Sequence, residues 1–240
     1  MLPERRLRIL GELVRPGEPL PNIERLAQVC ADMTGTSGAG IMLIDDGVSR
    51  GSLSTTDRVS ELIEEQQFTL GEGPCIDACR EGRPILEPDL TSPDANRWIA
   101  FGPPAIEAGA RAIFAFPIRV GAACLGALNL YRDRPGPLTD DQHADALVLA
   151  DIAAEFILLT QADASPGELA AELAAGASLH HVVHQASGMV SAQLDVGVDH
   201  ALVRLRAHAF KAGIPLIDVA RSVVNRTFRF EPLDEIVPES

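Results

Sequence analysis

The sequence predicts an α+β domain built on an antiparallel sheet, followed by a small all-α unit of three helices. Three observations carry this reading. Short apolar runs bounded by turn residues fall at 39–55 and 112–131, where they pair as hairpins. From Thr139 onward the apolar residues recur at helical spacing. The charge also changes along the chain: residues 178–230 hold six Lys/Arg against three acids, a net +3 within a chain of net −14, so the remainder carries −17. A hydrophobic fraction of 46% over 240 residues is enough for a core in one large domain or two smaller ones. We divide the chain into an N-terminal helix and linker (1–21), an α+β domain (22–162), a helical domain (163–226) and an acidic tail (227–240).

Leu2 to Val14 has Leu7, Leu10 and Val14 spaced for one helix face, and the run Pro16-Gly17-Glu18-Pro19-Leu20-Pro21 ends it. Asn22 caps a second helix, whose Ile23, Leu26, Ala27 and Cys30 form a buried face. Ala39 to Asp45 reads as a strand, Asp46-Gly47 as its turn, and Gly51 to Thr55 as the return strand. Asp57 caps a helix to about Gln67. Arg83 to Pro88 is a strand limited by its prolines, and Pro103 to Gly109 a short helix ended by glycine. Ala112–Val120 and Cys124–Tyr131 are two buried strands of a hairpin.

Thr139-Asp140-Asp141-Gln142 is a capping-box start. From Ala146 to Leu159 only Asp151 and Glu155 are polar, four apart on one face. An amphipathic surface helix carries a much broader polar face. This helix therefore needs a second burial partner, most simply another copy of itself; complete burial within one domain is the alternative. Ser165-Pro166-Gly167-Glu168 starts another helix, running to about Leu194. Its Leu169, Leu173, Gly176, His180, Val183, Ser187, Val190 and Leu194 form a heptad-like seam. Val198–Ala212, ended by Gly213, and Pro215 to about Asn225 complete the helical unit, and Phe228–Ser240 reads as a frayed tail.

No run approaches the roughly 18 apolar residues needed to span a bilayer. Arg5, Arg6 and Arg8 interrupt the first apolar stretch, so no export signal is visible. A cytoplasmic location is expected, with Cys30, Cys75, Cys79 and Cys124 as thiols rather than disulfides. The acidic total argues against coating of the whole surface by nucleic acid and leaves room for a local basic site. No metal-ligand spacing, phosphate loop or nucleophile elbow is present, so neither a metal site nor a catalytic residue is assigned, and the cofactor is left unknown.

Gly38-Ala39-Gly40-Ile41-Met42-Leu43, Leu70-Gly71-Glu72-Gly73-Pro74-Cys75, Gly82-Arg83-Pro84-Ile85, Ala115 to Val120 and Leu125 to Tyr131 together resemble a GAF domain, over about 23–160. His184-Gln185-Ala186-Ser187-Gly188-Met189-Val190, Ala201-Leu202 with Leu205-Arg206, and Leu216 to Val224 resemble the ANTAR domain, a three-helix RNA-binding module. The resemblance implies a GAF–ANTAR regulator. Such a protein binds paired hairpins in nascent RNA and prevents a terminator hairpin, usually as a dimer, here through the 139–160 helix and the start of the ANTAR helix. Two departures stand out. Ser187 replaces the family's usual lysine, and the Gly213-Ile214-Pro215 turn is neutral.

The RNA-contact candidates are Gln185, Ala186, Ser187, Gly188, Arg204, Arg206, Lys211 and Arg221. Arginine and lysine hold phosphates, Gln185 both donates and accepts, and small residues permit close approach. The competing reading is packing: Ala186 and Gly188 as helix contacts, Arg206 as a stem over the core. In the first domain the glycine-rich turn before Cys75 offers free amides for an anion and a helix dipole that lowers the Cys75 pKa. Cys79 follows one turn later, making the pair candidate redox sensors or buried small residues. Trp98, Phe101 and Tyr131 are candidates to line a small-molecule pocket, with core packing as the alternative. Two other functions remain open: a protein-interaction or dimerisation regulator without RNA binding, and a thiol-dependent GAF enzyme reducing free methionine sulfoxide.

Overall fold

Five antiparallel strands in the order β2-β1-β5-β4-β3 organise the first part of the chain: β1 (Gly38–Asp45), β2 (Val48–Thr55), β3 (Ile85–Glu87), β4 (Ala112–Val120) and β5 (Ala123–Arg132). The computed structural model describes residues 2–14, 22–45, 48–92, 97–162 and 181–231. It divides into two units, Met1–Ser178 and Leu179–Ser240. Hairpins β1–β2 and β4–β5 form where the apolar runs predicted them. The two prolines flanking β3, Pro84 and Pro88, hold it to three residues.

Both faces of the sheet are buried, so its strands read as continuous apolar runs rather than as strict alternation. Ile41, Leu43, Phe114, Phe116, Leu128 and Leu130 face one core, shared with α2 (Ile23–Thr34) and α6 (Asp140–Gln161). Met42, Ile44, Ile113, Ala115, Ala127 and Tyr131 face the other, shared with α3 (Arg58–Leu70), α4 (Pro74–Glu81) and α5 (Gly102–Ala108). The caps read from the sequence are present: Asn22 accepts from the Arg25 amide, and Asp57–Ser60 and Thr139–Gln142 form capping boxes.

Helix α1 (Leu2–Leu13) buries Ile9 and Leu13, whereas Leu7 and Val14 are exposed, so the face expected from spacing is not the one used. Ion pairs set its rotation. Arg5 and Arg8 reach the buried Asp145 carboxylate of α6, the former at 2.5 Å and the latter at 2.6 Å, and Arg6 reaches Glu155 at 2.6 Å. Much of the apolar excess of α6 is thereby covered by its own chain, through α1, α2 and the sheet. What remains outward is a stripe of Leu147, Asp151, Glu155, Leu158 and Leu159.

The second unit is α7 (His181–Leu194), α8 (Val198–Ala212) and α9 (Leu216–Val224) around Val183, Val190, Leu205, Val219 and Val223. Val183, Ser187 and Val190 of the heptad-like series are spent inside this core. The other early members, Leu169, Leu173, Gly176 and His180, and the helix start at Ser165 lie outside the described residues. The segment after α9 is not frayed through Glu231. Phe230 is buried, its amide donates to Gln193 Oε1 at 3.0 Å, and His208, Phe228 and Phe230 pack ring to ring. The rest of the tail, 232–240, lies outside the described residues.

Two glycines define opposite tests. A Cβ on Gly126 would lie 2.2 Å from the Met42 carbonyl oxygen, whereas one on Gly188, in the middle of α7, would meet nothing within 4 Å. Gly126→Ala is expected to destabilise the fold by about 2 kcal/mol through overpacking. Gly188→Ala is expected to stabilise its unit by up to about 1 kcal/mol through helix propensity. Urea unfolding of each variant, followed by circular dichroism, checks both signs.

Candidate functional site

A line of polar side chains runs along the buried face of α3. Asp57, Ser60, Glu64 and Gln67 recur every three or four residues, and helix geometry places them on one side. Ser60, Glu64 and Gln67 are all buried. Each member of the line meets a fixed partner. The Tyr131 hydroxyl donates to Asp57 Oδ2 at 2.8 Å, and Asn129 Nδ2 donates to Glu64 Oε1 at 3.0 Å. Gln67 Oε1 accepts the Cys75 backbone amide at 2.7 Å, and Gln67 Nε2 lies 3.3 Å from Cys75 Sγ. Gly40 pairs with Asn129 across β1 and β5, and a Cβ there would fall 2.5 Å from Glu64 Oε1. The carboxyl group therefore rests directly on the strand backbone.

Glu64 is the energetic anomaly of this line. It is 2% exposed, and its Oε2 and the Asn129 Oδ1 have no hydrogen-bond partner. Desolvation lifts its pKa to about 8, against the smaller opposing effect of the Asn129 hydrogen bond. At neutral pH the group is therefore mostly a neutral acid in an apolar setting.

The glycine-rich turn does not work as expected. The Cys75 amide is already occupied by Gln67, so it is not a free donor for an anion. Nor is the Cys75 thiol activated. Burial, with Glu64 adding once it ionises, pushes its pKa well up, against the smaller opposing effect of the Gln67 hydrogen bond. The expectation of four thiols fails at one pair: Cys79 and Cys124 form a disulfide, with Cα atoms 5.7 Å apart. The β4–β5 hairpin brings Cys124 beneath α4, a proximity that a separation of 45 residues conceals. Cys75 and Cys79, adjacent in the sequence pattern, thus have different fates. Cys30 and Cys75 are free and buried, Cys30 on the helix face expected to be buried and Cys75 as the alternative to a sensor role had it.

The segment that carries Trp98 and Phe101 is strapped across α4. Trp98 Nε1 and Arg97 Nε both donate to the buried Asp77 carboxylate, at 2.9 and 2.8 Å, and Arg97 also pairs with Glu81. Glu72 Oε1 accepts the Ala100 and Phe101 amides at 3.0 and 3.2 Å. Trp98, Phe101 and Tyr131 are all buried in the core under this strap, the first two edge to face at 6.0 Å. Asp77, Glu72, Glu64 and Asn129 were missed by sequence reasoning. An acid within an amphipathic helix gives no local sign of being buried.

The family model for the GAF domain matches residues 23–157, more than half of the chain. The chain belongs to the GAF domain family. None of the curated proteins matches it. Solved structures resemble its fold at low identity. The GAF domain of a phosphoenolpyruvate-protein phosphotransferase from Coxiella burnetii is 17% identical, covering 67% of this chain and 95% of that one, with a TM-score of 0.49. A type II free methionine-R-sulfoxide reductase from Thermoplasma acidophilum is 16% identical, covering 57% and 90%, with a TM-score of 0.46. The free methionine-R-sulfoxide reductase from Neisseria meningitidis, solved with its substrate, is 17% identical, covering 67% and 89%, with a TM-score of 0.42. Among the described residues no helix is long and apolar enough to cross a membrane.

Outside the GAF domain, the helical unit sorts the RNA-contact candidates by exposure. Gln185 and Gly188 lie on the outward face of α7. Ala186 and Ser187 do not: both are fully buried, and the Ser187 hydroxyl donates to the Val183 carbonyl at 2.9 Å. Their positions share the helix face of Val183 and Val190, which excludes them as direct contacts. On α8, Arg204 and Arg206 are half-buried and Lys211 exposed; on α9, Arg221 is exposed, 3.5 Å from Asp218. Desolvation lowers the Arg206 pKa to about 10, which leaves it charged at neutral pH.

Two predictions follow the chemistry of the GAF core. The Glu64 pKa is raised on folding, so between about 4.5 and 8 the native state binds the extra proton and stability falls as pH rises. Glu64→Gln is expected to lose less stability than the wild type over that window; urea midpoints at a series of pH values measure the difference. Without reductant, the folded protein is expected to show no fast-reacting thiol, since Cys30 and Cys75 are buried and Cys79 and Cys124 are paired. A chromogenic thiol reagent should count two on unfolding and four after reduction.

Proposed function

We propose that this protein is a regulator in which the GAF domain senses a small molecule and the helical unit binds RNA, acting as an antiterminator on paired hairpins in nascent transcripts. One observation carries the RNA half. The three-helix unit keeps its small and apolar motif residues inside, while Gln185, Gly188, Lys211 and Arg221 stay outward beside the half-buried Arg204 and Arg206. These cations belong to the net +3 stretch 178–230 of a chain that is otherwise strongly acidic, as a polyanion contact requires. The ordered match of three ANTAR-like motifs adds the choice of RNA as the polyanion.

The sensory half rests on the buried polar line under α3. A ligand offering an acceptor to the neutral Glu64 carboxyl at Oε2 and a donor to Asn129 Oδ1 would satisfy two atoms that are without partners. A homodimer through the outward α6 stripe fits the exposed Leu147, Leu158 and Leu159. Reduction of methionine sulfoxide is a weaker reading, because Cys75 is buried with a raised pKa and its neighbour Cys79 is bonded to Cys124. The exposed apolar residues of the helical unit, Val203 and Phe210 among them, are what favours the protein-interaction alternative.

A gel shift with a paired-hairpin RNA separates these readings. The wild type is expected to bind, with affinity falling steeply as salt rises. Lys211→Ala should weaken binding and lower the salt slope by about one. Ser187→Ala should leave affinity unchanged. A wild type that gives no shift at low salt overturns the RNA reading.

A further inference from the structure

We propose that Phe210 is a base-stacking residue that takes an unpaired base of an RNA loop on its ring. The proposal rests on the RNA-binding reading above and adds a contact that the motif resemblance does not contain. The chain has eight Phe, one Trp and one Tyr, and all ten lie within the described residues. Seven are buried, Phe156 and Phe228 are half-buried, and Phe210 alone is exposed, at 75%. Burying such a side chain would gain about 2–3 kcal/mol, so the unit leaves a substantial hydrophobic gain unused there.

Helix geometry explains the exposure. α8 turns Ala201, Leu202, Leu205 and Ala209 into the core, which points Phe210 the opposite way. Its neighbours decide what it meets. Arg206 lies one turn earlier on the same side, Lys211 follows directly, and Arg204 and His200 occupy the adjoining flank. Asp199 is the single acid on α8. Val203 and Ile214, 56% and 45% exposed, extend a short apolar border. An exposed aromatic face beside the exposed Lys211, with the half-buried Arg204 on the adjoining flank, matches the two needs of a single-stranded polyanion: a stacking platform and phosphate neutralisation.

The test uses the full chain and a labelled two-hairpin RNA with short randomised loops, beside a blunt RNA duplex of equal length. Circular dichroism verifies the fold of each variant. The proposal expects Phe210→Ala to weaken loop-RNA binding by about tenfold and to leave duplex binding unchanged. Phe210→Trp should retain the affinity and Phe210→Leu should lose it, since stacking needs a ring rather than apolar area. Loop binding equal to wild type in F210A or F210L overturns the proposal while leaving the RNA reading intact. No loop binding by the wild type overturns both. An oligomer that dissociates in F210A at unchanged RNA affinity, read by sedimentation velocity, assigns the face to a protein contact and also overturns the proposal.

Discussion

The constraint on which the rest of this structure depends is the burial of both faces of a five-stranded antiparallel sheet. Antiparallel sheets commonly leave one face to water. Here α2 and α6, with α1 outside them, cover one face, and α3, α4, α5 and the strap at 97–101 cover the other. A sheet enclosed in this way has no solvent side on which to place polar groups. Every polar atom that reaches it must find a protein partner or remain unsatisfied.

That condition makes the line under α3 chemically distinctive. Asp57, Gln67 and Asp77 are fully engaged, by Tyr131, Cys75, and Trp98 with Arg97 respectively. Glu64 and Asn129 engage each other with one atom apiece and leave one atom apiece without a partner. Gly40 permits this by letting the carboxyl group rest against β1. The raised pKa of Glu64 and the raised pKa of Cys75 then have one origin, exclusion of water from the α3–sheet interface. The same burial that would make a ligand's hydrogen bonds valuable there makes the cysteine a poor nucleophile.

The helical unit has the opposite character. Its core is small and built from short side chains, and its identity lies on the surface. Gly188 and Gln185 on α7, and Lys211 and Phe210 on α8, face outward. Of the motif residues, Gln185 and Gly188 are exposed and Ala186 and Ser187 are buried. A helical motif read from spacing mixes buried with exposed positions, and spacing alone does not separate them.

The sequence by itself determined the order of elements, the two hairpins, the caps at Asn22, Asp57 and Thr139, and the change in charge from the acidic body of the chain to the net +3 stretch 178–230. These are local matters: periodicity, turn chemistry and capping act over a few residues. Which face of α1 is buried, the partnering of Cys79 with Cys124, and the isolation of Glu64 were decided only by tertiary structure. Each depends on groups far apart in the chain. Arg5 and Arg8 turn α1 toward Asp145, the β4–β5 hairpin carries Cys124 to α4, and β5 brings Asn129 to Glu64 across 65 residues. Burial is a property of the assembled layers, and it is burial that sets the charge state and reactivity of these side chains.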